Sequence, residues 1–284
     1  MTTPPFEDPR RVLRRHGARA KRSFSQNFLV SESIVERIAE ALGPADSAPV
    51  VELGPGVGTL TAALLRRGHR VIAIEKDRDM IALLGEEFGA LSSLEVRAGD
   101  AARIQLESLF DGVPLRVVGN LPYAITGRIF RSLTAQQPLV RRAVLMIQRE
   151  VRDRLVAAPG TSSYGALSVF VQAAFSVERV LSVPAGAFHP RPKVDSAVIA
   201  LEPRPDPIEE SERFRTVVRA AFAARRKTLR NGLRGAGFST EEASAALAEL
   251  GLGADVRGES LAPSDFDRLS RRLLPEPAPH SDGG

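Results

Sequence analysis

Val50-Val51-Glu52-Leu53 runs directly into Gly54-Pro55-Gly56-Val57-Gly58-Thr59, and then into a segment with Leu60, Leu64 and Leu65 at helical spacing. A short buried strand, a glycine-rich turn and a helix start make one βα unit, and a chain that repeats such units is bound to an α/β layer architecture. The repeats follow. Val71–Ile74 is a strand ending at Glu75, with a helix predicted from Asp79 to Phe88. Leu94–Val96 leads to Asp100, and a short helix is expected near Ile104 to Phe110. Leu115, Val117 and Val118 read as a central strand that Pro122 must end, because proline cannot donate to a ladder. Ala143–Ile147 is the fifth strand. Val177–Val183 and Ser196–Leu201 come last and predict an antiparallel hairpin at one sheet edge.

In open α/β sheets the chemistry lies beyond the carboxyl ends of the strands. Four segments therefore draw attention. The glycine turn can bring backbone close to a ligand at a helix N-terminus, although its glycines fall at positions 1, 3 and 5 rather than at the 1, 3 and 6 of a dinucleotide fingerprint. Glu75 stands 21 residues after Gly54 at a strand tip, where it can accept both hydroxyls of a ribose; the bland alternative is a solvated carboxylate beside Lys76 and Asp77. Asp100 can accept from an adenine amine or simply cap a helix. Asn120-Leu121-Pro122-Tyr123 offers an amide, a turn carbonyl and a ring, which suit a flat hydrogen-bonding ligand such as a nucleobase.

The chain has 284 residues, no cysteine and four scattered histidines, His16, His69, His189 and His280. Disulfides, thiolate metal sites and thiol catalysis are excluded, and no metal is expected. No apolar run of about 18 residues is present, so no membrane span is predicted, and a cytoplasmic location is expected. The net charge of +5 is uneven: residues 1–23 carry +5, residues 214–235 carry +7, and the remainder carries −7. Two basic segments on an acidic body point to a polyanion, against the alternative of an arginine-rich solvated surface.

Residues 1–22 are expected to be a flexible basic arm, and residues 275–284 a disordered tail. A helix with Ile34, Val35, Ile38, Ala39 and Leu42 on one face follows Ser31 and Ser33, either of which could cap it. Pro159–Gly165 reads as a polar loop, either a lid or plain surface. Phe188-His189-Pro190-Arg191-Pro192 is stiffened by its prolines and can present Phe188 as a stacking surface or bury it in the core. Beyond the linker at Pro203–Pro207, residues 208–272 look helical. At 100° per residue Arg215, Arg219, Arg226 and Arg230 share one stripe, and Val218, Phe222, Leu229 and Leu233 the next. That stripe is either a phosphate-binding face or a solvated one.

Ser25-Gln26-Asn27-Phe28-Leu29, Glu52–Thr61, Asn120–Tyr123, Phe188–Ser196 and Arg225-Arg226-Lys227-Thr228-Leu229-Arg230-Asn231 occur in one order. Together they closely resemble the ribosomal RNA adenine dimethyltransferases, above all the bacterial small-subunit enzymes, over about residues 20–272. The resemblance implies a class I S-adenosylmethionine-dependent methyltransferase: a Rossmann-like seven-stranded sheet as catalytic domain, 23–203, and a small all-helical RNA-binding domain, 208–272. It implies dimethylation of the N6 amine of two adjacent adenosines in the 3′-terminal hairpin loop of 16S rRNA, within the small ribosomal subunit or its precursor, by a monomer. Its cofactor positions fall on Asn27, Leu29, Gly54, Glu75, Asp100 and Asn120, and Gly56 and Gly58 of the same turn are expected to bind the cofactor as well. Tyr123 and Phe188 are expected to stack on the base, and Arg226, Lys227 and Arg230 to hold RNA.

The exocyclic amine of adenine is a poor nucleophile because its lone pair is delocalised. The expectation is that the Asn120 side-chain oxygen and the Leu121 carbonyl accept its two hydrogens and aim the lone pair, with Pro122 fixing the carbonyl. Three rival readings remain at this stage: a large-subunit 23S rRNA methyltransferase of the macrolide-resistance type, a DNA adenine methyltransferase, and a non-catalytic RNA-binding assembly factor. The DNA enzymes usually have aspartate first and proline second where this chain has Asn120 and Leu121.

Overall fold

The computed structural model describes residues 5–21, 24, 26–223 and 227–273. The chain divides into two compact units, one of Met1–Asp153 with Phe175–Pro203, the other of Arg154–Ala174 with Arg204–Gly284.

The first unit begins with α1 (Pro9–Arg15), β1 (Phe28–Leu29) and α2 (Glu32–Ala41). The expected arm is thus not without structure. Asp8 caps α1 by accepting from the Arg10 N–H at 2.8 Å, and Val12 and Leu13 are buried against Phe28, Val57, Met80 and Leu83. Two apolar residues on a seven-residue helix suffice to seat it, a period too short to read in sequence. Ser31 precedes α2 but makes no side-chain capping bond.

β2 (Val50–Leu53), α3 (Thr59–Arg66), β3 (Val71–Glu75), α4 (Arg78–Phe88) and β4 (Leu94–Ala98) follow, then β5 (Leu115–Asn120), α5 (Thr126–Ala135) and β6 (Val140–Gln148). Next in the chain are α6 (Arg149–Leu155), α7 (Ala166–Ala174), β7 (Phe175–Val183), β8 (Phe188–His189) and β9 (Ser196–Pro203). The seven-stranded sheet has the order β4-β3-β2-β5-β6-β9-β7. β2 to β6 are parallel, while β9 runs antiparallel between β6 and the edge strand β7. Strands β2 and β3 are buried throughout, as parallel strands covered on both faces must be. The strand order reverses between β2 and β5, so the crevice of this sheet lies beyond their carboxyl ends.

The second unit is helical: α7, α8 (Glu212–Ala223), α9 (Leu229–Gly235), α10 (Thr240–Glu249) and α11 (Pro263–Leu273). Its core gathers Tyr164, Phe214, Leu233, Leu247 and Phe266. The polar loop before α7 is exposed from Pro159 to Ser163 and ends on Tyr164, which is fully buried and donates its hydroxyl to the Leu261 carbonyl at 2.9 Å. The arginine stripe also changes. Thr228 caps a new helix by accepting from the Asn231 N–H, so Arg215 and Arg219 stand on α8 and Arg230 on α9. Arg226 and the tail from 274 lie outside the described residues. Among the described residues, no helix is long and apolar enough to cross a membrane.

Candidate active site

A cavity of about 440 Å³ opens at the carboxyl ends of β2, β3, β4 and β5. Its lining includes Asn27, Leu29, Gly54, Gly56, Glu75, Asp100, Asn120, Leu121, Pro122 and Tyr123, so nearly every candidate from across the first unit meets here. The volume suits a nucleoside-sized ligand.

The glycine turn supplies the floor. Gly54 has φ +69°, which favours glycine, and a Cβ built on it meets no atom, so a side chain would project into open cavity space. Gly56 turns its N–H to the Glu75 Oε2 at 3.1 Å. Gly58 is different: it has φ +82° and does not line the cavity, and a Cβ there would overlap the Phe88 ring of α4. It packs the turn rather than facing a ligand.

Glu75 ends β3 almost wholly buried, and three backbone donors hold it: the Gly56 N–H on Oε2, and the Lys76 and Asp77 N–H groups on Oε1, both at 2.8 Å. Directed amides compensate the burial of its carboxylate and fix its orientation. Asp100 takes the capping role and also faces the cavity. Its Oδ1 caps the following turn by accepting from the Ala102 N–H at 3.0 Å. The hydrogen bond from Lys76, 2.9 Å from its Oδ2, holds its carboxyl below the usual range. Glu52, in the cavity lining, accepts from the Thr61 hydroxyl at 2.6 Å; burial pushes its carboxyl up to about 7, beyond what that hydrogen bond restores.

Phe24 and the segment Gln26–Leu29 form a strap that lines the cavity. Asp77 latches it. The buried Asp77 carboxylate accepts from the Lys21 ammonium at 2.6 Å and from the Gln26 amide at 2.8 Å. Burial raises its pKa, yet these donors outweigh burial and leave it below the ordinary value. At the strap's far end the Asn120 Nδ2 donates to the Asn27 carbonyl at 2.8 Å. A carbonyl only accepts, so this bond fixes which end of the Asn120 amide is nitrogen and leaves Oδ1 as the end available to accept.

Leu121 continues the β5 ladder, its N–H donating to the Met146 carbonyl at 3.0 Å. Pro122, with φ −59° and ψ 127°, then turns the chain into a short 3-10 turn, Tyr123–Ile125. The Tyr123 hydroxyl is 2.8 Å from the Ser196 hydroxyl at the start of β9, which anchors the ring by its rim. Phe188 does not join this group. Its strand β8 pairs with β1, setting Phe188 opposite Leu29, and the ring is buried in the core with Leu29 and Val35. The core alternative weighed for Phe188 is what the structure has.

The lysine latch and Asp77 were not singled out from sequence. They are 56 residues apart and no local pattern joins them. The arrangement can enclose an adenosine-bearing ligand between carboxylates and amides and offer a second flat group an acceptor beside a ring.

Residues 17–273 match the family described as "Ribosomal RNA adenine dimethylase". The chain belongs to that family. Ribosomal RNA small subunit methyltransferase A of Myxococcus xanthus is 43% identical over 275 residues, covering 95% of this chain and 96% of the relative. Its namesake in Geobacter metallireducens is 40% identical over 270 residues, covering 92% and 98%. Among solved structures, a dimethyladenosine transferase from Plasmodium falciparum has a TM-score of 0.75 at 27% identity, covering 85% of this chain and 95% of that one. The 23S rRNA methyltransferase ErmE has 0.65 at 29%, covering 87% and 99%. The fold is that of the class I methyltransferases, and the family's activity is dimethylation of rRNA adenine.

Proposed function

We propose that this chain dimethylates the N6 amine of two adjacent adenosines in the 3′-terminal hairpin loop of 16S rRNA, working in the cytoplasm as a monomer on the small ribosomal subunit or its precursor. The small-subunit relatives at 43% identity support that substrate over a 23S one. The observation that carries the chemistry is the Asn120 amide, whose nitrogen is tied to the Asn27 carbonyl.

The cavity fits S-adenosylmethionine. Gly54 leaves room where any side chain would intrude, and Glu75 is held by amides with its carboxylate at a strand tip. Gly54, Gly56, Glu75 and Asp100 would hold the adenosine part, with Asn27 and Leu29 closing from the strap. When bound, S-adenosylmethionine supplies an already activated methyl group. The work of the chain's own residues lies with the incoming amine. Asn120 Oδ1 and the Leu121 carbonyl accept its two hydrogens, favour a tetrahedral nitrogen and aim its lone pair. Pro122 keeps the carbonyl in place, and the Tyr123 ring, anchored by Ser196, supports one face of the base. The raised Tyr123 pKa, caused chiefly by burial, keeps its hydroxyl neutral. The proton released can leave to water, so no strong base is required. Lys227, exposed, and Arg230 on α9 are read as phosphate contacts of the helical unit.

Purified protein given isolated small and large ribosomal subunits should label only the small one, and mass spectrometry should find two dimethyladenosines in the 3′ hairpin. Label on 23S rRNA alone would reverse the substrate assignment.

A further inference from the structure

We propose that Arg103 and Arg128 form a cationic clamp at the mouth of the cavity that binds the phosphates flanking the adenosine extruded into it. This rests on the RNA reading above and gives that RNA a docking point within the catalytic unit.

Both arginines are exposed and both line the same cavity as Asn120 and Tyr123. Neither has a hydrogen-bond or ion-pair partner among the described residues. The third cation of the lining, Lys76, is by contrast tied to Asp100. The two segments that carry them are neighbours. Ser132 lies one helical turn after Arg128 on the same face of α5, and its hydroxyl donates at 3.1 Å to the carbonyl of Ile104, the neighbour of Arg103. The carboxylates inside the cavity already have backbone amides, Thr61 and Lys76 as hydrogen-bond donors, and none of them bonds to Arg103 or Arg128 among the described residues.

A base that enters such a cavity leaves its sugar at the mouth, with one phosphate on each side. Guanidinium forks match phosphate oxygens bidentately, and two of them would set the depth and direction of entry. The arrangement also resolves an electrostatic conflict. A cavity whose lining carries Glu75 and Asp100 would repel a polyanion unless its rim were positive. The charge of Arg128 contributes, after the Lys76 hydrogen bond, to keeping Asp100 ionised.

The test uses the full chain with Arg103 and Arg128 both changed to Gln, and a second variant with both changed to Lys. The probes are an adenosine-containing RNA hairpin for binding and small ribosomal subunits for turnover. For the Gln variant, hairpin affinity and KM should each worsen by about tenfold. The slope of log affinity against log salt should lose about 1.4 in magnitude, for two single-strand phosphate contacts. Calorimetric affinity for S-adenosylmethionine and melting temperature should stay at wild-type values, and the Lys variant should recover most of the salt slope. A Gln variant with unchanged RNA affinity and salt slope overturns the clamp. So does a variant whose affinity falls for S-adenosylmethionine but not for RNA. Because hairpin binding is read separately from methylation, a wild-type protein that binds RNA yet leaves 16S rRNA unmodified would count against the substrate reading and not against the clamp.

Discussion

At the carboxyl ends of β2 and β3, Glu52 and Glu75 are buried, and among the described residues no cation bonds to either: Glu75 is held by three amides, Glu52 by one hydroxyl. At the amino ends of the same sheet, buried charge meets opposite charge. The Arg116 Nη1 is 2.8 Å from Asp46 Oδ1, and Arg141 reaches Asp46 Oδ2 at 2.5 Å. His69 is buried beside them; burial first, and then the Arg116 charge, push its pKa down and keep it neutral. An amide net holds a carboxylate without neutralising it, so the group can still accept from a ligand. An ion pair spends the charge internally. The difference separates a binding end from a stabilising end of one sheet, and it should show in which property each substitution moves.

The largest effect is expected at Asn120. Asn120→Ala removes an acceptor placed where the amine becomes pyramidal, and kcat should fall about 100-fold or more. Affinity for S-adenosylmethionine should change little, because the carboxylates and the glycine turn stay in place. Calorimetry beside single-turnover kinetics measures both, and near-normal kcat would remove Asn120 from the chemistry. Glu75→Gln should do the reverse. Loss of charge-assisted bonds to ribose hydroxyls weakens cofactor affinity by about 10- to 100-fold. At saturating cofactor kcat should largely recover; a kcat loss that saturation does not repair would place Glu75 nearer the reacting atoms.

These roles were legible in sequence to different depths. The βα alternation announced the sheet because buried strands and amphipathic helices differ in period, and Gly54, Glu75, Asp100 and Asn120 could be placed because strand ends face the crevice. What pairing decides stayed hidden. The side on which the Phe188 ring falls depends on β8 meeting β1, where Phe188 stands in register with Leu29, 159 residues earlier. The insertion of β9 between β6 and β7 is set by which edge is left open, not by either strand's own residues. One periodic run from Arg215 to Leu233 looked like a single helix because periodicity continues in phase past the Thr228 cap. Charge alone could not distinguish Asp77, which latches the strap, from an exposed acid beside Lys76.

At the amino ends, Asp46→Ala would strand Arg116 in the core without its counter-charge. Breaking a buried pair from one side costs about 2–3 kcal/mol at a partly exposed site such as this, or a fall in Tm of about 4–10 °C. Both kcat and cofactor affinity should be unchanged below that temperature. Thermal melts and turnover measured on the same preparation decide it, since lost activity in a fully folded variant would give the amino end a functional share.

The smallest effect separates two carboxylates at the binding end itself. Glu52 has one hydroxyl donor where Glu75 has three amides, and burial lifts its pKa to about 7. An acid whose folded pKa is raised holds its proton longer folded than unfolded, so folding stability is highest below the unfolded value of 4.5. It declines as pH rises from there to about 7, and is level beyond. Glu52→Gln cannot ionise and keeps an acceptor for Thr61. It should match the parent near pH 4.5 and be the more stable of the two at pH 8, with a flatter Tm profile between. If the profiles run parallel across that window, Glu52 is ionised in the folded protein at neutral pH, and a single hydroxyl then holds a buried carboxylate as well as the three amides hold Glu75.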